Sequence, residues 1–544
     1  MSENRTPIRI GIDFGTTNTV ISFRRNDGKI KKCGDGGKSI RTAVFFKSRN
    51  ECLIGEEAIA EGYKYPKALA VNFKPRIKGD KYSITAADGE EFELKPAAIA
   101  KIFLNNALNK FVTKRMNKEF GDIEFRNEDR VVVTVPIKFN PEEKKAVKKA
   151  AEKANFPNVS IAFEPTAAAV AVADMNSSNE EEENIAVYDF GGGTFDVSVI
   201  QKKKNGVYVP LEKGQGGDKN LGGNNISQKV IEDFILPELE DNDIYLSLDT
   251  DDEDFEFDPD DYSTEDYEPE EHEYLYNWII AKTMAEDVKE TFSSDDVSET
   301  EEFTYYFHKN GSDCPVEFKI SKTDYDNSIR SFIEITVSIT EKVINETESF
   351  HGAEIKRIVL AGGSSQIKLC RELLSEKFED RGIKVVCDVN IFDVISKGAL
   401  ILCENEKDLN IEERTVSQFG IDEKKGGMYV VFAPLIMEGA KLPVSGERDF
   451  EIGDQTSGEI RVRLYEKDVK NYPDASRINR DEGISEINEY RIPIPQSECK
   501  LKNVKVIFTI EKDGTLKLTA DFIDEKGSVV KKVEVDMDSD SNLE

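Results

Sequence analysis

Two short stretches carry residue types that could do phosphate chemistry. "GIDFGTTN" (11–18) sets Asp13 at the end of an apolar run, followed by Gly15, Thr16, Thr17 and Asn18. "YDFGGGTFD" (188–196) sets Asp189 before Gly191, Gly192, Gly193 and Thr194, with Asp196 just beyond. A turn free of side chains lets successive backbone N–H groups approach an anion closely. Thr16, Thr17 and Thr194 add hydroxyl donors, and Asp13 and Asp189 are suited to hold a hydrated Mg²⁺ against the same phosphates. One such hairpin alone reads as a tight turn or bulge. Two, each with its Asp, point to a nucleotide clamped between two lobes. Neither is a Walker loop, because no Lys-Ser/Thr follows the glycines.

The elements that must position these residues are strand–turn–strand units, "IRIGIDFGTTNTVISF" (8–23) and "IAVYDFGGGTFDVSVI" (185–200). They form a weak internal repeat, which suggests two similar lobes facing one another across a cleft. "RVVVTVPIKFNPEEKKAVKKAAEKANF" (130–156) reads as a buried strand followed by an amphipathic helix. Asn140 is its cap, Pro141 fits the first turn, and Glu142 and Glu143 suit its positive end. Val147, Ala150, Ala151 and Ala154 make its buried stripe, and the lysines between them read as a solvated face. "ILCENEKDLNIEERTVSQ" (401–418) is charged and linker-like. Beyond it, short strands with turn signals predict a compact β domain, including hairpins turning at Asp513-Gly514 and near Lys526-Gly527.

Composition bounds the function. A chain of 544 residues implies more than one domain. Its net charge of −33 argues against nonspecific nucleic-acid or anionic-membrane binding, which needs a basic face. Seven scattered Cys, never spaced C-x-x-C, and only three His predict reduced thiols in a cytoplasmic protein rather than a zinc site. The start has no apolar signal core, and no run of about 18 apolar residues occurs. From Val230 to Ala281 there is no Lys or Arg, and the centre of this stretch reads as a solvated insertion without an EF-hand pattern.

In order along the chain, "IGIDFGTTN", "VVVTVP", "FEPTAAAVA", "YDFGGGTFDVSVI", "KNLGGNN", "VKETFSS" and "IVLAGGSSQI" resemble the nucleotide-binding domain of the 70-kilodalton heat-shock chaperones, the DnaK family. The resemblance runs on through the β domain. It implies an α/β two-lobed actin-like ATPase domain with duplicated ribonuclease H-like lobes, followed by a β-sandwich substrate-binding-like domain. The corresponding boundaries are 1–404 with an acidic insertion at about 240–273, a charged linker at 405–416, the sandwich at 417–538 and an acidic tail at 539–544. The implied activity is hydrolysis of ATP to ADP and phosphate, with Mg²⁺, by a chaperone that binds unfolded or extended polypeptide.

Carried over by position, Gly15 to Asn18 and Gly191 to Thr194 would cradle the β- and γ-phosphates, and Asp13 and Asp189 would organise Mg²⁺ through water. Lys74 in "AVNFKPRI" matches the family's catalytic lysine, with Glu164 and Asp196 completing the metal and water shell and Thr194 counted among the catalytic residues. Glu286, Lys289 and Ser293 match the purine-and-ribose side. Gly362, Gly363, Ser364 and Gln366 match the adenosine turn, with Gly222 and Gly223 in the loop facing it. In the β domain, Met428, Val430 and Phe432 are candidates for lining a peptide groove.

The sequence also departs from the family pattern. Gln366 stands where an Arg usually stacks on adenine, a loss of about 1–2 kcal/mol of cation–π contact. Phe392 replaces an Asp expected near the base, and Ser160 replaces an Arg that engages J-domain cochaperones. The linker is polar where the family has an apolar docking segment, and the resemblance closes with the β domain, so a member without the family's helical lid is expected. A J-domain or nucleotide-exchange partner is therefore expected only in general terms. The competing reading is a specialised interaction protein of the same fold, with a dedicated partner and a weak or uncoupled ATPase.

Overall fold

β-branched and apolar residues alternating with a two-residue period build most of the strands, and Gly or Asn–Gly punctuation ends them. A computed structural model describes residues 6–534 except 35–37, 63, 123, 176–181, 205–207, 219, 247–270, 295, 388–390, 405–413, 416, 426–428, 453–457, 470–471, 479–480 and 497–499. Of the features expected above, the centre of the acidic insertion, most of the linker, Met428 and the acidic tail lie outside the described residues. The chain divides into two units, one of Met1–Pro136 with Lys149–Asn410 and the other of Ile137–Lys148 with Ile411–Glu544.

The first unit contains two sheets of the same design. In one, Arg9–Phe14 pairs antiparallel with Asn18–Arg24, which pairs antiparallel with Ile30–Cys33; Arg9–Phe14 also pairs parallel with Arg130–Val135, and that strand with Val159–Phe163. In the other, Glu183–Phe190 pairs antiparallel with Phe195–Lys202 and that strand with Tyr208–Asp218. On its other side, Glu183–Phe190 runs parallel to Ile355–Ala361, and Ile355–Ala361 runs parallel to Lys384–Val386. Setting aside the two-residue strand Ile40–Arg41, which also pairs with Asn18–Arg24, and numbering in chain order within each sheet, both run 3-2-1-4-5. The internal repeat noticed as two hairpins is thus a repeat of whole sheets.

The residue after each hairpin Asp anchors its sheet. Phe14 is fully buried against the rings of Phe73 and Phe103, and Phe190 packs against Tyr188 and Phe195. Because strand side chains alternate, burying Phe14 and Phe190 turns Asp13 and Asp189 to the opposite faces. No helix among the described residues is long and apolar enough to cross a membrane.

The second unit is two four-stranded antiparallel sheets. Their orders are Tyr429–Ile436, Gln418–Lys425, Glu459–Lys467, Ile484–Pro493 and Val444–Glu451, Leu501–Ile510, Leu516–Asp524, Val529–Glu534. Ile421, Val462, Leu464 and Ile492 from one sheet share a core with Val504, Val506, Phe508, Leu518 and Phe522 from the other. The hairpin after Ile510 turns at Gly514 and the next at Gly527, both at positive φ.

The helix Pro141–Lys153 starts as its sequence predicts. Asn140 Oδ1 accepts the Glu142 and Glu143 N–H groups at 2.9 and 3.0 Å, and Glu143 accepts the Asn140 N–H at 2.7 Å, a reciprocal capping box. Its Val147–Ala154 stripe is buried. Its lysines are only in part the solvated face expected: Lys153 is exposed, others are not. Lys144 is buried, and Lys148 pairs with Asp513 at 2.7 Å within the second unit, to which this half of the helix belongs. Glu142 accepts from the Tyr490 hydroxyl there at 3.2 Å, so the first turns of the polar face are also packed.

Candidate functional site

The two glycine hairpins are built to one register. The last pair before the first turn is Phe14↔Thr19, preceded by Asp13↔Val20; in the second it is Phe190↔Phe195, preceded by Asp189↔Asp196. Each turn therefore spans the four residues after a Phe, with the Asp one step back on the strand. The turns also meet. A Cβ placed on Gly192 would lie 2.4 Å from Thr17 Oγ1, and one on Gly193 would lie 3.8 Å from Thr16 Cγ2. At Gly192 an added Cβ would collide with the Thr17 hydroxyl, while the distance at Gly193 is ordinary van der Waals contact.

Charge converges at the same place. Lys74 Nζ donates to Glu164 Oε1 at 2.7 Å, and both side chains are nearly removed from solvent at 3% and 11% exposure. Lys74 is held there by Phe73, which is fully buried between Phe14 and Phe103, after Asn72 turns the chain at positive φ. Glu164 opens the helix Glu164–Met175, where the N-terminal dipole favours a carboxylate. Burial, then the Glu164 charge, push the Asp13 carboxyl up to about 7, against the pull of Lys74 and a hydrogen bond from Thr134. Burial, with Glu164, Asp13 and Asp196 crowding it, holds the Asp189 carboxyl well above its ordinary range. Asp189 and Asp196 are themselves buried.

A crowd of carboxylates around one lysine is unfavourable on its own and is relieved by a cation. Among the described residues, no group of three His, Cys, Asp or Glu is placed to hold a metal ion directly. Carboxylate oxygens are ligands that suit a hard cation such as Mg²⁺.

The crowding has a measurable consequence in the absence of metal and nucleotide. A carboxyl whose pKa is about 7 when folded and about 3.9 when unfolded binds its proton more tightly in the fold. Its contribution is fully favourable below about pH 4 and is lost as pH rises through 7. Asp13→Asn is expected to remove this dependence, raising the melting temperature at pH 8 in EDTA and changing it much less at pH 4. Thermal melts at pH 4 and pH 8 check this, and an equal or lower melting temperature for the variant at pH 8 would sink it.

Three glycine turns are joined on the second sheet's side. The Gly223 N–H donates to Gly191 O at 2.9 Å, the Asn224 N–H to Gly192 O at 2.7 Å, and the Ser364 hydroxyl to Gly191 O at 2.9 Å. A Cβ on Gly222 would meet Gly192 O at 2.5 Å, and one on Gly362, at φ +79, would meet Asp189 Oδ1 at 2.5 Å. The turns at 191–194, 222–225 and 362–364 thus form one continuous backbone surface. Lys289 joins it, donating to Gly223 O at 3.0 Å and to Glu286 Oε1 at 2.7 Å. Lys289 is buried, so this i,i+3 pair is not an exposed helical salt bridge. Burial works against the Glu286 charge, but Lys289 and the Ser227 hydroxyl outweigh it and hold its carboxyl below the ordinary range.

Most of the residues singled out from the sequence are brought together. Asp13, Lys74, Glu164, Asp189 and Asp196 form one electrostatic cluster. Ser364, Gly223, Lys289 and Glu286 form the neighbouring chain of contacts. Gly15 closes its own turn, where a Cβ would meet Asn18 O at 2.1 Å, and the Gly191 N–H donates to Thr194 O at 3.0 Å. The Ser293 hydroxyl instead donates to Lys289 O in its own helix, and Gln366 ends the short turn Gly363–Gln366, half-buried. Gly363 is the exposed member of that turn.

Sequence reasoning missed Thr134, Ser227 and Arg41. Thr134 lies directly opposite Asp13 in the parallel pair, and a lone hydroxyl in "VVVTV" was the available signal. The Ser227 hydroxyl donates to Glu286 at 2.7 Å. Arg41 lowers both Glu286 and Glu290 through its charge, although burial, the largest influence on Glu290, leaves that carboxyl raised. No local signal identified Ser227 or Arg41.

Comparison with known proteins gives the family of the chain. The family model described as "Hsp70 protein" matches residues 9–253 and 271–544. "Chaperone protein DnaK" of Thermosipho africanus (strain TCF52B) is 25% identical over 530 residues, covering 95% of this chain and 78% of that protein. "Chaperone protein DnaK" of Thermotoga petrophila is 24% identical over 522 residues, covering 94% and 78%. That of Thermosipho melanesiensis is 24% identical over 523 residues, covering 94% and 77%. The match takes in both glycine hairpins, the lysine between them and the β-sandwich alike, and the chain belongs to the Hsp70 family.

Proposed function

We propose that this member of the family is an ATP-binding, ATP-hydrolysing chaperone that acts on unfolded or extended polypeptide segments. The observation that carries the reading is the buried Lys74–Glu164 pair, set among Asp13 and Asp189 where two glycine turns meet. In this reading the two 3-2-1-4-5 sheets are the duplicated lobes of an actin-like nucleotide-binding domain, 1–404, and 417–538 is the peptide-binding sandwich. The backbone of Gly15–Asn18 and Gly191–Thr194 cradles the β- and γ-phosphates, and the Gly222–Gly223, Glu286–Ser293 and Gly362–Gln366 segments take the nucleoside. Asp13 and Asp189 are the residues that would hold Mg²⁺, through water, with Asp196 nearby. Bound there, the ion supplies charge neutralisation at the phosphates.

Hydrolysis is attack of water on the γ-phosphorus, with the bond to the β,γ-bridging oxygen breaking to leave ADP and phosphate. Lys74 Nζ is placed to stabilise charge developing on the γ-phosphoryl oxygens, and Glu164 orients Lys74 and water beside it. The Lys74–Glu164 contact keeps the ammonium extended in a site that little solvent reaches. Such preorganisation removes the cost of reorienting it during the reaction.

The test is single-turnover hydrolysis of ATP with Mg²⁺, with and without an apolar extended peptide. Turnover accelerated by peptide is the expected result. Turnover indifferent to peptide would leave an ATPase without the proposed client coupling. Binding of ATP with no turnover would sink the assigned chemistry.

A further inference from the structure

The face proposed for peptide is not open. Tyr429–Ile436 is the edge strand of its sheet, so one side of its backbone has no partner within the sheet. That side is taken by the chain itself. The Phe432 N–H donates to Ser476 O at 2.9 Å, the Ile478 N–H donates to Val430 O at 3.2 Å, and Val431 faces Arg477 in an isolated antiparallel bridge. This is the main-chain pattern of an added strand.

The side chains complete the likeness. Val430 and Phe432 lie on the strand face away from the sandwich core, and with Tyr465 and Ile484 they form a separate apolar cluster into which Ile478 inserts. Ile478 is 7% exposed while Arg477 beside it is exposed, as alternation along a docked strand requires. The bare backbone of Gly420 lets the Phe432 ring lie close, since a Cβ there would meet Phe432 Cζ at 2.8 Å.

The segment is also held in a defined shape. The Asp481 carboxylate accepts the Ser476 and Arg477 N–H groups, each at 2.8 Å, and Lys467 Nζ donates to Pro473 O at 2.8 Å. These anchors lie outside the apolar cluster. The segment can leave the edge strand without unmaking the sandwich core, which is a different set of residues.

We infer that Ser476–Ile478 is a built-in, displaceable occupant of the peptide edge, with Ile478 filling the place of a peptide's aliphatic side chain. An extended peptide carrying one large aliphatic residue and no acidic ones then binds by taking over the hydrogen bonds to Val430 and Phe432. The net charge of −33 disfavours acidic peptides. The inference rests on the peptide-binding reading above, and it adds that the wild-type chain binds peptide below the intrinsic affinity of the edge, because only the open fraction is competent.

The experiment uses the full chain and a fluorescein-labelled extended peptide with a central isoleucine, read by anisotropy. Ile478→Asp, which expels the side chain, and Asp481→Asn, which loosens the anchor without touching the apolar cluster, are expected to bind about tenfold or more tighter than wild type. The pair Val431→Cys/Arg477→Cys lies opposite in a non-hydrogen-bonded position suited to a disulfide. Oxidised, it is expected to bind no peptide; reduced, it is expected to recover wild-type affinity. Equal affinity in wild type, Ile478→Asp, Asp481→Asn and the oxidised pair would overturn the inference while leaving peptide binding intact at another surface. No binding by wild type or by either loosened variant, each with a wild-type melting transition, would overturn both the inference and the peptide-binding reading.

Discussion

Replacing Lys74 by Ala is expected to slow single-turnover ATP hydrolysis by about 10²–10³-fold, the usual loss when one preorganised group is removed from a developing oxyanion. The same substitution is expected to destabilise the protein. It leaves the Glu164 carboxylate buried beside Asp13 and Asp189 without its cation, and breaking a buried pair from one side costs about 3–5 kcal/mol. Asp13 and Asp189, which Lys74 now draws toward ionisation, lose that help as well.

The two effects separate in a second variant. Lys74→Ala/Glu164→Gln removes the stranded charge and is expected to recover most of the stability and none of the turnover. Thermal melts and single-turnover rates on the wild type, the single and the double variant make the check. Should the double variant regain the rate, or the single variant keep it, Lys74 is a packing residue and the assigned chemistry fails.

Gly398→Ala is expected to damage fold and site together. The helix Ile391–Glu404 crosses the helix Glu164–Met175 so closely that a Cβ at 398 would stand 1.7 Å from Ala167 O and 2.4 Å from its carbonyl carbon. On its other side the same helix closes on the strand Arg9–Phe14, where a Cβ at Gly11 would meet Leu400 N at 2.3 Å. The helix cannot retreat from one neighbour without striking the other. Overpacking against backbone costs about 3 kcal/mol or more.

The displacement should also reach Glu164, the first residue of the crossed helix. A lower urea midpoint and slower hydrolysis are therefore expected in Gly398→Ala. Ala167→Gly should not rescue either, since the clash is with the carbonyl oxygen and not the methyl group. An unchanged midpoint, or rescue by Ala167→Gly, would show that the helices are not packed as described.

How much was legible beforehand varied with the range of the interaction. The hairpins, their glycine turns and the Asp-Phe alternation follow from a two-residue period and turn chemistry, both local. The Asn140 cap and the Val147–Ala154 stripe follow from helical spacing, and the structure has both. The lysines of that helix misled, because charge patterning cannot tell a wet face from one covered by a distant segment such as that carrying Asp513.

By itself, then, the sequence determined where chemistry-bearing residues stand on their strands and turns, and that two such units occur. Backbone propensity and alternation act within a few residues and do not depend on the rest of the chain. Only the tertiary structure decided that Lys74 meets Glu164, that Ser227 reaches Glu286, and that Ile478 lies over Phe432. Those contacts join segments far apart in the chain, and their geometry is settled by how sheets and helices close on one another. The same closure makes Glu164 a partner for Lys74 and covers the edge strand Tyr429–Ile436 with the chain's own segment.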